Sequence, residues 1–160
     1  MPHYDSPGTR TEWCPLRIQK EVLLQLEESL LLCDTKIIHE SGDIHNDQKE
    51  KMQDNDISEL VKSNVELCYE MRNQLLRGVL NDFGNSLNKA WKAKRKFSAK
   101  ISSPQLDEIY ENAITNGAIG GKLLGAGGGG FFLFICKKNM RRKVISKIKN
   151  CKSIDFNFHH

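Results

Sequence analysis

Between Gly117 and Phe131 the chain reads G-A-I-G-G-K-L-L-G-A-G-G-G-G-F, with glycine at eight of the first fourteen positions. Glycine adopts positive φ without strain and lets a backbone approach another group without a Cβ in the way. Successive N–H groups exposed in such a loop can form a concavity for an anion. Phosphate binding is therefore the chemistry this segment could do. A tight connection between a closely packed helix and sheet is the chemistry-free alternative, and the glycine density keeps both open.

Spacing separates the segment from familiar phosphate loops. A Walker A loop needs glycine at position 116 and Ser or Thr at 123, where the chain has Asn116 and Leu123. Gly125, Gly127 and Gly130 satisfy G-x-G-x-x-G, but a dinucleotide loop runs from strand to helix and this one from helix to strand. Asp82-Phe83-Gly84 matches the metal-binding triplet of protein kinases in composition only. It lies upstream of the glycines in a helical pattern, with no H-R-D and no V-A-I-K.

Cations stand nearby in sequence. Trp91-Lys-Ala-Lys-Arg-Lys-Phe97 followed by Lys100 is the densest basic run. A solvated helix end would carry such a run favourably. Alternatively, Lys94 or Arg95 faces a cleft and pairs with a phosphate, and Lys122 beside the loop is a third candidate contact. The run is short and no RNA-binding pattern accompanies it, so nucleic acid is not the expected partner. Trp91 continues the apolar face of Phe83 and Leu87 and is expected in the core. The histidines are scattered, which gives no metal site. Asp34 and Asp43 are isolated carboxylates, and no residue is assigned a catalytic role.

The elements that must position the loop follow from periodicity. Thr11 to Ile18 has strand-like content, with Pro15 confining it to an edge or strand end. A short helix follows from Gln19 to Glu28. Ser29 to Thr35 is an apolar run that fits a strand or prolongs that helix. Lys36 to about Asn55 is polar and is expected to be a mobile loop. Ile57, Leu60, Val61, Val65, Cys68, Met71 and Leu75 recur at helical spacing, with Gly78 as stop. Asp82 is the expected cap of a second helix. Ser103-Pro104 signals the start of a third, which ends at Asn116-Gly117. Phe131 to Cys136 is a strand, Met140 to Lys149 a basic amphipathic helix, and Ser153 to Phe158 a closing strand. The order predicts an α+β domain with an antiparallel sheet of about four strands and helices packed on a face.

The 160 residues fit about one domain, and 39% hydrophobic with 28% charged residues excludes wholesale disorder. No apolar run spans a bilayer, and the start lacks a secretory signal. Five cysteines, odd in number and never C-x-x-C, suit reduced thiols in a cytoplasmic setting rather than disulfides or zinc. The net charge of +4 is too mild to imply a polyanionic partner.

Gly121-Lys-Leu-Leu-Gly-Ala-Gly-Gly-Gly-Gly-Phe-Phe-Leu-Phe134 resembles the third motif of the GHMP kinases. Pro15-Leu-Arg-Ile18, Leu30-Leu-Leu32, Trp91-x-x-Lys94-Arg95, Ile101 to Tyr110 and Asn116 to Lys122 extend the resemblance to the sugar-kinase branch, notably D-glycero-D-manno-heptose 7-phosphate kinases and fucokinase C-terminal domains. Leu124 departs from it, standing where the branch often has Ser. The resemblance implies a ferredoxin-like C-terminal domain over residues 11–160, preceded by a leftover or disordered segment at 1–10. It also implies an ATP- and Mg2+-dependent kinase acting on a sugar or sugar phosphate. The family's N-terminal lobe, with its P-x-x-x-G-L-G-S-S-A loop, has no counterpart in the sequence, so the chain alone is expected not to catalyse. Gly125, Ala126, Gly127, Gly128 and Gly129 would lie beside the phosphates and acceptor, with Gly127 least tolerant of a side chain.

Overall fold

A computed structural model describes residues 15–38 and 55–158. The expected segment 1–10, residues 11–14 of the first expected strand and most of the expected loop after Lys36 lie outside them. In chain order the elements are α1 (Lys20–Ser29), β1 (Leu30–Asp34), α2 (Asn55–Arg77), α3 (Leu80–Arg95), a 3-10 turn (Ala99–Ile101), α4 (Pro104–Asn116), β2 (Ala118–Leu123), β3 (Phe131–Cys136), α5 (Arg141–Lys147) and β4 (Lys152–Ile154).

The four strands form one sheet in the order β2-β3-β1-β4, with every neighbouring pair antiparallel. β3 sits between β1 and β2, and β1 sits between β3 and β4. Each helical crossover therefore skips a strand, which is the split βαβ arrangement of ferredoxin-like domains.

Strand alternation sends side chains to two faces. Leu31, Cys33, Phe132 and Phe134 join Trp91, Ile101, the α4 residues Leu106, Ile109 and Ala113, and Val144 of α5 in one buried cluster. Leu30 and Ile135 point the other way and pack with Leu26 of α1 and Leu87 of α3, flanked by Met71 and Leu75 of α2. Trp91 is in the core, its ring edge-on to Phe132 at 5.5 Å. α3 supplies both clusters, Leu87 to one and Trp91 to the other, and so runs along β2. Their backbones meet where two glycines face each other: a Cβ on Gly120 would collide with the carbonyl oxygen of Gly84.

Local signals fix several boundaries. The Ser103 hydroxyl accepts from the Leu106 amide at 3.3 Å, Pro104 fills the first turn, and α4 ends at Gly117 with φ +126°. Gly78 ends α2 with φ +70°. Asp82 is not a cap: α3 begins two residues earlier at Leu80 after Val79, and Asp82 lies in its first turn, where its charge still complements the helix dipole.

Two strand assignments change. Pro15 to Ile18 are not strand, and the fourth strand is instead Ala118–Leu123, inside the glycine-rich segment. Glycine has poor strand propensity, but here it admits α3 at Gly120 and the Phe134 ring against Gly121. β4 stops at Ile154, and Phe156 and Phe158 beyond it pack on the second cluster. Among the described residues, no helix is long and apolar enough to cross a membrane.

Candidate functional site

Residues 124–130 bridge β2 and β3, and four backbone hydrogen bonds set the loop's path. The Leu124 amide donates to the Phe131 carbonyl at 2.8 Å, closing the hairpin neck. The Gly128 amide donates to the Ile101 carbonyl at 2.8 Å, and the Gly130 amide to the Ile37 carbonyl at 3.2 Å. The Thr35 amide donates to the Gly130 carbonyl at 2.9 Å, and the Thr35 hydroxyl to the same oxygen at 2.8 Å. The loop is thus clamped by the end of β1 on one side and by the 3-10 turn on the other.

The amides of Gly125, Ala126, Gly127 and Gly129 have no backbone acceptor among the described residues. Gly127 lies at φ +124°, and a Cβ there would sit 3.0–3.1 Å from three Ile101 atoms. It is constrained both by its backbone conformation and by its neighbour. Gly129 is sterically tighter still, since its Cβ would overlap the Ile37 carbonyl oxygen.

Lys94, at the end of α3, reaches the loop from below. Its ammonium donates to the Leu123 carbonyl at 3.1 Å and to the Gly125 carbonyl. A trans peptide points its C=O and N–H in opposite directions. Turning the Gly125 carbonyl toward Lys94 therefore turns the Ala126 amide away from α3. Burial, together with the nearby positive charge of Lys122, lowers the Lys94 pKa to about 8. Lys122 projects from β2, half-buried, opposite Leu133.

Arg95 is engaged elsewhere. It pairs with Asp107 of α4 at 3.0 Å and lies 5.8 Å over the Trp91 ring. Asp107 is held in turn by the Ser102 hydroxyl at 2.7 Å. Of the three candidate cations, Lys94 and Lys122 stand with the glycines and Arg95 braces α3 against α4.

The sequence reading missed Thr35, Ile37 and Ile101. Two of the three act through their carbonyls, which carry no side-chain signal. It also missed the Tyr110 hydroxyl donating to Asn88 Oδ1 at 2.5 Å, which ties α4 to α3. Burial, with Glu111 nearby, pushes the Tyr110 hydroxyl up to about 12, so it stays a donor. Among the described residues no three His, Cys, Asp or Glu side chains are grouped to hold a metal ion.

Comparison with known proteins supplies the context. The family profile described as GHMP kinases C terminal matches residues 71–153. The D-glycero-alpha-D-manno-heptose 7-phosphate kinase of Campylobacter jejuni is 32% identical over 146 residues, which is 90% of this chain and 43% of that protein. The bifunctional fucokinase/GDP-fucose pyrophosphorylase of Arabidopsis thaliana is 27% identical over 85% of this chain and 13% of its own length. The chain therefore spans less than half of either relative. The crystal structure of L. major mevalonate kinase with R-mevalonate superposes with a TM-score of 0.69 at 23% identity, over 78% of this chain and 40% of that one, and shows the shared fold.

Proposed function

From the premise that this chain belongs to the GHMP kinase C-terminal family, we propose that it serves as the C-terminal lobe of an ATP-dependent carbohydrate kinase. The acceptor class we assign is a sugar or sugar phosphate of the heptose 7-phosphate kind, and the setting cytoplasmic. The observation that carries this reading is the loop itself: the amides of Gly125, Ala126, Gly127 and Gly129, without a backbone acceptor among the described residues, beside the cations Lys94 and Lys122.

Those groups fit a phosphate. Free backbone N–H donors at neighbouring loop positions, with positive charge close by, stabilise negative charge as it redistributes during phosphoryl transfer. Such transfer depends on positioning and charge neutralisation, which a preorganised loop supplies without rearranging. ATP would present its phosphates here, and magnesium would neutralise them. A first lobe would bring the remaining parts, and the chain by itself would hold phosphate without turnover. Because the loop is clamped entirely by residues of this chain, a second reading follows, in which the domain acts as a sugar-phosphate-binding module.

A thermal-shift titration with magnesium-ATP and with heptose 7-phosphate, followed by a turnover assay with a heptose-kinase N-terminal lobe added, tests the proposal. Ligand at about one hundred times its Kd adds about 2.7 kcal/mol, a clear rise in the midpoint. Turnover only with the added lobe supports the kinase reading. A sugar-phosphate shift without turnover under any combination favours the binding module. No shift and no turnover would sink both.

A further inference from the structure

At the far end of β3 from the glycine loop lies a concavity of about 660 Å³, where α1, the start of α3, β2, β3 and the start of α5 converge. β3 spans six residues, or about 20 Å at the usual rise, so the two sites are well apart. Lys137, Lys138, Arg141 and Arg142 line it, and Glu28 is the single acidic residue in the lining. Leu80, Ile119 and Ile135 form an apolar floor. Arg141 is the one cation of the four that is only partly exposed. Its Nε is buried without a hydrogen-bond partner among the described residues, while its Nη2 reaches only the fully exposed Asp155, at 3.8 Å. A buried guanidinium N–H without an acceptor is costly and calls for an anion or water.

We propose that this concavity is a second binding site, for a small phosphate ester whose uncharged body rests on the floor while its phosphate meets the cationic rim. Four cations against one acid favour an anion, and Arg and Lys suit phosphate in particular. The volume falls within the range of small-ligand pockets, which separates it from a flat basic surface that would meet a macromolecule. The apolar floor separates it from a site for inorganic phosphate, which has no body to bury. Asn139, at φ +63°, turns the chain between Lys138 and α5 and holds the two pairs of cations around the same opening.

The test follows amide signals of the 160-residue chain in proton–nitrogen correlation spectra during titration with phenyl phosphate, phenol, inorganic phosphate or hexaglutamate. Phenyl phosphate is expected to shift Ile119, Lys138 and Asn139 to saturation. Phenol should leave them unmoved and inorganic phosphate should bind more weakly. Lys138→Ala with Arg142→Ala, both exposed, should weaken phenyl phosphate by about tenfold or more. The response of Gly125 to Gly129 to inorganic phosphate should be unchanged in that variant. If the double variant fails to fold, Lys138→Gln and Arg142→Gln singly should each weaken binding several-fold. Equal affinity in wild type and variants, shifts confined to the glycine loop, or tighter binding of hexaglutamate would overturn the proposal. So would complete loss at about 0.15 M salt, where surface charges are screened beyond about 8 Å.

Discussion

Lys94 Nζ lies 3.1 Å from the carbonyl oxygen of Leu123, joining the last turn of α3 to the last residue of β2. Because it also holds the Gly125 carbonyl, one ammonium fixes the Leu123–Leu124 and Gly125–Ala126 peptide planes. Its role is to orient the loop's donors as much as to attract phosphate.

That relationship predicts a pH signature. Lys94 should lose its proton near pH 8, and the Ala126 amide should report it by shifting with that midpoint. Phosphate affinity should fall as pH rises through the same value, and bound phosphate should move the midpoint upward. Lys94→Met should abolish the midpoint and weaken phosphate by about tenfold; an unchanged Ala126 titration would refute the assignment.

The same group sets a direction for stability. Its folded pKa of about 8 is below its ordinary 10.5, so the unfolded chain binds the proton more tightly. Its unfavourable contribution is full below pH 8 and is relieved as pH rises toward 10.5. Urea unfolding of wild type against Lys94→Met across that window should show the difference shrinking as pH rises.

Gly127→Ala combines positive φ with crowding against Ile101 and should cost about 1–3 kcal/mol in urea unfolding. It should also disturb the Gly128 amide, whose bond to the Ile101 carbonyl runs through the same contact. A neutral substitution would mean the loop relaxes without loss.

Arg95→Ala should separate structure from binding. Its pair with Asp107 is more than one-third exposed on both sides, so the loss should be about 0.2–1 kcal/mol. Phosphate affinity should stay at the wild-type value. A drop comparable to that of Lys94→Met would place Arg95 in the phosphate site.

Tyr110→Phe leaves Asn88 Oδ1 without its donor and should cost about 1–3 kcal/mol. The tyrosinate absorbance lost in this variant should belong to a group ionising only near pH 12, which a difference titration would show.

Helix ends were the most legible part of the fold. Ser103-Pro104 and Gly117 act through local backbone geometry, and the structure places α4 between them. Asp82 misled because a good capping residue serves equally well in a first turn. β2 was hidden because its glycines answer to tertiary neighbours, Gly84 and Phe134, rather than to strand propensity. The glycine loop was visible from composition, but the division of labour between Lys94 and Arg95 was not. Adjacent helical residues point about 100° apart, and only packing decides which one meets the loop. The Ile37 and Ile101 carbonyls, common to every residue type, could not be read from sequence at all.

The close approach of α3 to β2 also governs how this sheet can meet other chains. An edge strand ordinarily offers unpaired N–H and C=O groups as a template for strand addition and aggregation. On the β2 side, α3 is pressed against the backbone at Gly84 and Gly120. On the other side, β4 is three residues long and begins with Lys152. Both edges are thus poor templates, and another chain or domain would be met through side chains and loops rather than through an extended sheet. A side chain at Gly120 would lift α3, uncover β2 and turn a folding defect into an association defect.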